Sequence, residues 1–481
     1  GHEIPQEIWW LVCQELQKRQ DARSLFRAAL VCSSWANHAL PLLYSIHDSA
    51  GTDDVGTTFQ GKHMWAGMWR SIILSSIGVT QYPYCLWLKS LGLSDLEQLL
   101  GDVASNASLR PRFFEGPMQE FEILSGSKRT RFGKSILEWQ KIIEKVGDTV
   151  TKFAKEAADE ENKIVQLTNL EGANLPTSLL SVWTSRLATL TTLSIRDGSV
   201  LTEEVAISIR DHCPAFRELT CFHIQGQTVD ENMSAFFRTL KPNSLQSFSV
   251  LSSNQIGHDT LDGLMQHSES LRVLALKSLQ NTALPFLDLL SNCQYLESLS
   301  IESSTPSPPS TWAADGKDPL VVVSAWLQES KHLRKLEIHN LGGASKLLSE
   351  VLKSPTLRLR DLETKLVDDD ETFYVALGNQ TDLESFMFRS NIEVNDQAGL
   401  RHDTFIDSIC SCKKLNDLNI MQNDHMQLTP EDLGLFQESL PELESLSFDG
   451  ELLSDAIWTP LMGMTSLTTI NINGLSVFTY E

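Results

Sequence analysis

The residues of this chain best equipped for chemistry are its eight cysteines, and their spacing decides what they can do. Cys410 and Cys412 form a Cys-x-Cys pair, which could open a zinc site. A structural zinc site takes four ligands at close spacing, and no second pair lies nearby in the sequence, so no metal is expected. Cys213, Cys293 and Cys412 share another regularity: each precedes by the same interval an apolar residue (Leu219, Leu299, Leu418) of a recurring phrase. That position fits a buried structural thiol. Asp368-Asp369-Asp370-Glu371 could attract a cation, but acidic residues at a helix start complement its dipole, and that is the reading adopted. Lys128, Arg129, Arg131 and Lys134 form a basic run that either meets an acidic partner or phosphate or is simply solvated. There is no Gly-x-Ser-x-Gly elbow, no His-Glu-x-x-His and no phosphate-binding glycine loop ending in Lys-Ser or Lys-Thr. The chain is expected to be no enzyme and to need no cofactor.

Composition narrows the partners. The 481 residues carry 39 basic and 62 acidic side chains, a net charge of −23. Phosphate backbones are bound by clustered Lys and Arg, so an acidic chain is a poor nucleic-acid binder. No apolar run approaches the roughly 18 residues of a membrane span, and no basic start with an apolar stretch marks a secretory leader. Ordinary cysteine usage points to a reducing compartment, with cytoplasm or nucleus as the expected location. A single core rarely exceeds about 250–300 residues, so several domains or a repeat array are expected.

The elements that would position any site come from a repeat. From residue 164 onward an apolar-x-x-apolar-x-apolar phrase recurs. It reads Leu190, Leu193, Ile195; Phe216, Leu219, Cys221; Leu245, Phe248, Val250; Leu271, Leu274, Leu276; and Leu296, Leu299, Ile301. It continues through Leu333, Leu336, Ile338, a weaker Leu359, Leu362, Thr364, and Leu383, Phe386, Phe388. Leu415, Leu418, Ile420; Leu443, Leu446, Phe448; and Leu467, Ile470, Ile472 close the series, and Ile164, Leu167, Asn169 is taken as its degraded start. The mean step of roughly 27–28 residues lies in the range of leucine-rich repeats. The alternating phrase predicts a strand. Apolar residues three and four apart after it predict a helix, as at Phe286, Leu287, Leu289 and Leu290, or at Val322, Val323, Ala325, Trp326 and Leu327. The chain resembles leucine-rich-repeat proteins of the longer, intracellular kind. The resemblance implies an α/β fold, a curved solenoid with parallel inner strands and outer helices, over residues 85–481.

Two interruptions stand out. Ser303 to Ser310 is rich in proline and serine and opens a loop over about 303–319 that is neither helix nor ladder strand. Leu88, Leu91 and Leu93 form an isolated first copy of the phrase, followed by an insertion over about 101–162. The back of that insertion places Ile136, Trp139, Ile143, Val146, Val150, Phe153 and Ala157 at heptad spacing. The stripe could serve a coiled-coil partner or pack on the solenoid itself. Ahead of the first copy, residues 51–84 form a linker region whose Met64, Trp65, Met68, Trp69, Ile72, Ile73 and Ile77 predict a connecting helix.

Residues 1–50 are different again. Three short helical patterns run through Ile8, Trp9, Leu11, Val12, Leu16, then Leu25, Phe26, Ala29, Leu30, then Trp35, Ala39, Leu42, Leu43. A helical module this small and apolar buries too little of its own surface, so an exposed face for a partner is expected. Ile4-Pro5-x-Glu7-Ile8-x-x-x-Val12-x-x-x-Leu16, then Leu25 and Leu30-Val31-Cys32-x-x-Trp35, resembles the F-box. It departs from the general pattern in Ile4 for leucine, in the bulky Trp9, and in Gln17-Lys18-Arg19-Gln20, which reads as a lengthened first interhelical loop.

The combined resemblance is to F-box proteins with leucine-rich repeats of the fungal type, the substrate receptors of Skp–cullin–F-box ubiquitin ligases. It implies that Ile4, Pro5, Ile8, Val12, Leu16, Leu25, Leu30, Val31 and Trp35 bind the Skp adaptor, and through it cullin, or organise the helices that do. Trp35 could equally be a core tryptophan. A protein substrate would meet the inner strand face, where Lys335, Glu337, His339, Lys365, Arg389, Asp417, Asn419, Asp449 and Asn471 point outward as substrate contacts or as ordinary solvated positions. A scaffold using the F-box outside any ligase, and a small-molecule co-receptor with a basic pocket, are the competing readings.

Overall fold

A computed structural model describes residues 6–46, 59–129, 135–160, 163–172, 175–305, 319–368, 370–390, 398–423, 427–450, 453–474 and 477–479. The chain divides into two compact units, Gly1–Phe222 with Thr239–Lys241, and His223–Arg238 with Pro242–Glu481.

The first unit opens with three helices, α1 (Gln6–Lys18), α2 (Ala22–Ala29) and α3 (Ser33–Ser45). Cys13, Leu25, Ala28, Ala36, Ala39 and Leu43 form their common core. The first connection is shorter than the sequence suggests. Gln17 and Lys18 belong to the last turn of α1, and the chain reverses through Gln20 at φ 54°. Asp21 then caps α2 by accepting a hydrogen bond from the Ser24 amide at 2.9 Å. Gln17, far from looping out, donates to Ser45 Oγ at 2.6 Å and ties α1 to α3.

The connecting helix Phe59–Ser76 buries Trp69, Ile72 and Ile73. At its end Ser75 Oγ accepts from the Cys85 amide at 2.9 Å, fixing the entry into the first repeat. Strand β1 (Ser90–Gly92) pairs in parallel with β4 (Asn169–Gly172), Leu91 beside Leu170. Between them in sequence lie an antiparallel pair, β2 (Leu124–Arg129) with β3 (Ser135–Leu137), and the long helix Trp139–Ala158. Ile136 is therefore on a strand, not on the helix, and Trp139 is exposed. The buried stripe keeps Ile143, Val146, Val150 and Ala157 of the expected set and adds Ile142 and Ala154, with Gly147 and Thr151 beside it. This face packs within the unit against the helices Phe59–Ser76, Leu93–Ser105 and Thr177–Arg186, which leaves no seam for a coiled-coil partner. Gly147 is required there, because a Cβ would fall inside the indole of the fully buried Trp183.

Strands β5 (Thr192–Asp197) and β6 (Glu218–His223) continue the sheet of this unit in the order β1-β4-β5-β6. Their register corrects the start of the repeat series. Leu170 aligns with Leu193 and Gly172 with Ile195, so the phrase is Leu167, Leu170, Gly172. Ile164 is 79% exposed and outside it. The phrase therefore begins three residues later than its apolar pattern suggests.

In the second unit β7 (Ser247–Val250), β8 (Val273–Leu279), β9 (Ser298–Ser303), β10 (Lys335–His339), β11 (Asp361–Val367), β12 (Ser385–Ser390), β13 (Asp417–Asn419), β14 (Ser445–Asp449) and β15 (Thr469–Asn473) follow one another as parallel neighbours. The middle apolar residues align in one row: Leu274, Leu299, Leu336, Leu362, Phe386, Leu418, Leu446 and Ile470. The weak copy holds the same register, since Thr364 is fully buried beside Ile338 and Phe388. The chain therefore has the leucine-rich-repeat α/β fold: parallel strands, one per repeat, with a helical return between each described strand of the sheet and the next.

Local chemistry varies the returns. Asn281–Asn292 is a 3-10 helix, not an α-helix. Pro285 lies inside it without an amide donor, and buried Leu284, Leu287 and Leu290 recur every third residue, the period of that helix. Val322 is exposed on the helix Pro319–Glu329, which buries Val323, Trp326 and Leu327. Ser303 is the last residue of β9, its hydroxyl donating to Asn281 Oδ1 at 2.6 Å; most of the proline- and serine-rich segment lies outside the described residues. Asp370, in the acidic run, caps the helix Glu371–Leu377 by accepting from the Thr372 amide at 2.8 Å. Asp369 lies outside the described residues, as do Arg131 and Lys134 of the basic run.

The thiols occupy the turns expected of them. Cys213, Cys293 and Cys412 are buried, and burial pushes each up to about 12. Cys213 Sγ donates to the carbonyls of Thr184 and Leu187 at 3.2 and 3.4 Å. No described helix is long and apolar enough to cross a membrane.

Candidate functional site

Two surfaces carry the residues singled out above, one in each unit. In the first unit the helical head divides its apolar residues between inside and outside. Leu25 is fully buried and Leu16 and Trp35 are half-buried, whereas Ile8, Val12, Leu30 and Val31 are exposed. Leu30 and Val31, at 71% and 65% exposure, stand at the α2–α3 junction. Ile4 and Pro5 lie outside the described residues. Trp35 stacks obliquely on Trp9, ring centroids 4.1 Å apart, and so holds α1 against α3. Trp10, Leu11 and Phe26 are also exposed in this module. The F-box pattern does not name them, but their apolar character on two-sided short helices was visible in the sequence. A shallow groove lined by Glu7, Trp10, Leu11 and His38 runs between α1 and α3.

The head is fastened to its own unit through α3. Tyr44 is buried against Tyr84 and Trp87, with ring centroids 4.8 and 6.3 Å away. Its hydroxyl lies 2.5 Å from Ser71 Oγ on the connecting helix. Burial pushes the phenol up to about 12, so this contact stays uncharged.

In the second unit the outward strand positions are not uniformly solvated. Glu337, His339 and Asp449 are buried despite facing away from the leucine core, because neighbouring strands bring their partners alongside. Asp449 accepts from the Asn423 amide at 2.9 Å and from Asn473 Nδ2 at 2.8 Å. Asn423 is itself fully buried and donates to the carbonyls of Phe388 and Ile420 at 2.7 and 2.8 Å. Asp449 therefore serves the backbone of adjacent repeats. Asn471 donates to Ser447 Oγ at 3.0 Å, and Asn419 accepts from the Met421 amide at 3.2 Å. Lys335, Lys365, Arg389, Asp417 and Asn419 are half-buried and Asn471 is exposed.

The densest charge cluster lies on β10 and β11, where Glu337 aligns with Glu363 and His339 with Lys365. Lys335 Nζ reaches Glu337 Oε1 at 2.8 Å and Asp361 Oδ2 at 3.2 Å. Ser300 donates to Glu337 Oε2 at 2.7 Å, and Lys365 pairs with Glu363. His339 Nε2 stands 3.2 Å from Glu363 Oε1, and Nδ1 faces Glu302 Oε2 at 3.9 Å. Burial opposes ionisation of Glu337, but the hydrogen bonds from Lys335 and Ser300 outweigh it and hold the carboxyl below its ordinary value. The His339 ring, and then Lys365, hold Glu363 down to about 2. Burial raises Asp361. Glu302 and Glu363 are not singled out by sequence reasoning: both alternate with the apolar residues of their strands, but their convergence on one histidine depends on which strands are neighbours.

No family model matches the chain, and no curated protein matches it. Among solved structures it is similar to a leucine-rich-repeat protein of Leptospira interrogans, with 12% identity and a TM-score of 0.37 over 69% of this chain and 82% of that one. It is also similar to the Rad7 and Elc1 complex of yeast, at 14% identity and a TM-score of 0.37 over 71% and 91%. A third is the TLR13–ssRNA13 complex, at 12% identity and a TM-score of 0.35 over 66% of this chain; the chain spans 54% of the length of that one. The leucine-rich-repeat assignment rests on the strand register itself.

Proposed function

We propose that this chain is the substrate-recognition subunit of a Skp–cullin–F-box ubiquitin ligase, a non-catalytic receptor. One observation carries the reading: a three-helix head with an F-box sequence pattern leaves Ile8, Leu11, Val12, Leu30 and Val31 exposed while burying Leu25 and Cys13 as its own core. A monomer has no reason to display so many large apolar side chains on so small a module, whereas a stable interface of about 1,200–2,000 Å² would cover them. The work of such a subunit is positional. It raises the local concentration of a substrate beside the transfer machinery and makes no bond itself. The Tyr44 anchor on Ser71, Tyr84 and Trp87 supports this role by fixing the head to the first repeats. The half-buried Lys335, Lys365, Arg389, Asp417 and Asn419 and the exposed Asn471 remain the residues of the strand face offered to substrate. A compartment that holds Skp, cytoplasm or nucleus, follows from the same reading.

A basic pocket for a small anionic co-ligand is poorly supported, because Lys335 and Lys365 are each engaged by carboxylates. The test is recovery of the tagged chain with Skp and cullin, followed by mass spectrometry. Both partners are expected with the wild-type chain and neither with Leu30→Asp/Val31→Asp. Skp without cullin would favour the scaffold reading; loss of neither partner in the variant would overturn the proposal.

A further inference from the structure

The geometry points to a binding site for a divalent transition-metal ion of the Zn2+ class, held by Glu337 and His339 of β10 and Glu363 of β11. The inference stands apart from the ligase reading. One ligand atom from each of these residues lies within 4.8 Å of the others. Strand geometry brings them together: residues two apart on one strand share a face, and Glu363 sits directly across from Glu337.

An acidic cluster alone would not support this, and the second observation is the state of the histidine. His339 is 5% exposed, yet its Nε2 has no hydrogen-bond partner. Glu363 Oε1 is near at 3.2 Å, but the pair does not meet hydrogen-bond geometry. A buried nitrogen left without a partner is costly, and two donor atoms side by side rather than in line are what a metal between them requires. Bonds of about 2.0–2.2 Å from imidazole and carboxylate to zinc place adjacent ligand atoms about 3.3–3.6 Å apart in a tetrahedron. The surroundings supply outer support as well. Ser300 orients Glu337 through a 2.7 Å hydrogen bond, and Glu302 lies 3.9 Å from His339 Nδ1, on the far side of the ring from Glu363. Once it closes the remaining distance, a carboxylate on that side takes a hydrogen bond from Nδ1–H, the usual outer partner of a ligating imidazole.

Charge completes the argument. Lys335 and Lys365 now neutralise Glu337 and Glu363, standing where a cation would. A dication with one neutral imidazole and two carboxylates is also electrically balanced, so binding swings the lysines outward without leaving a buried charge. Three protein ligands leave a fourth position facing the strand surface, for water or a donor from a bound molecule. One imidazole among the donors selects against Mg2+ and Ca2+, which take oxygen.

The full-length chain, stripped with chelator, is titrated with ZnCl2 and separately with MgCl2 and CaCl2, followed by calorimetry and thermal melting. One saturable Zn2+ site is expected, raising the melting temperature, with no comparable effect of Mg2+ or Ca2+. His339→Ala and Glu363→Gln should each weaken that site at least tenfold, and Lys365→Met, which removes the resident cation, should tighten it several-fold. Should the variants fail to fold, CoCl2 added to the wild-type chain decides: a visible d–d spectrum of a four-coordinate nitrogen–oxygen site supports the assignment. Absence of that spectrum, no one-to-one Zn2+ binding, or wild-type affinity in both His339→Ala and Glu363→Gln overturns it.

Discussion

The division of the helical head into buried and exposed leucines gives opposite expectations for two similar substitutions. Leu25 is fully buried; Leu25→Ala removes core contacts and leaves a cavity, a change that costs about 2–5 kcal/mol of stability in other cores. Leu30 and Val31 touch little of their own chain, so Leu30→Ala/Val31→Ala should alter stability by no more than about 0.5 kcal/mol each. Binding reverses the ranking. Fully burying a valine or leucine side chain contributes about 1.5–3 kcal/mol. At 71% and 65% exposure most of that remains to be gained, or about 1–2 kcal/mol each on the same scale. The double variant should lose about 2–4 kcal/mol, roughly a 30- to several-hundred-fold weaker Kd for purified Skp adaptor. Calorimetric titration reads the affinity and a thermal melt reads the fold. Unchanged affinity in a folded Leu30→Ala/Val31→Ala chain would refute the reasoning, as would a melt showing that these two residues hold the head together.

Other expectations follow from single contacts. Alkylation of the native chain should modify Cys32, the exposed thiol, well before Cys213, Cys293 or Cys412, whose burial both shields them and keeps them protonated; mass spectrometry of tryptic peptides checks the order. Gly147→Ala should destabilise the first unit by about 1–3 kcal/mol through overpacking on Trp183, seen as a lower melting temperature. His402 Nε2 lies 3.0 Å from Asp432 Oδ2, and that carboxylate raises its pKa. The pair therefore adds stability fully below the ordinary histidine pKa of about 6.5, and the contribution fades as pH rises through the raised folded value. The melting-temperature gap between wild type and His402→Gln should be wider at pH 6 than at pH 9; an equal gap would remove the ion pair from the account. Tyr44→Phe should cost about 1 kcal/mol by deleting the hydroxyl contact with Ser71, again read by melting.

The chain's own pattern determined the repeat and its spacing. A leucine strand phrase can be read locally because alternate side chains must enter one core, and even Thr364 keeps that place. The three head helices were legible for the same reason, as periodic apolar faces. What the sequence could not decide was anything that depends on a neighbour in space. The frame at Ile164, the helix face that meets Trp183, and the split of the head between buried Leu25 and exposed Leu30 were all settled by packing. The strand face shows it most clearly. Glu337 and His339 look like solvated positions along one strand, and only the parallel register that sets Glu363 beside them makes them a buried cluster. Hydrophobic periodicity is a property of one segment, whereas burial of a charge and the company it keeps belong to pairs of segments far apart in the chain.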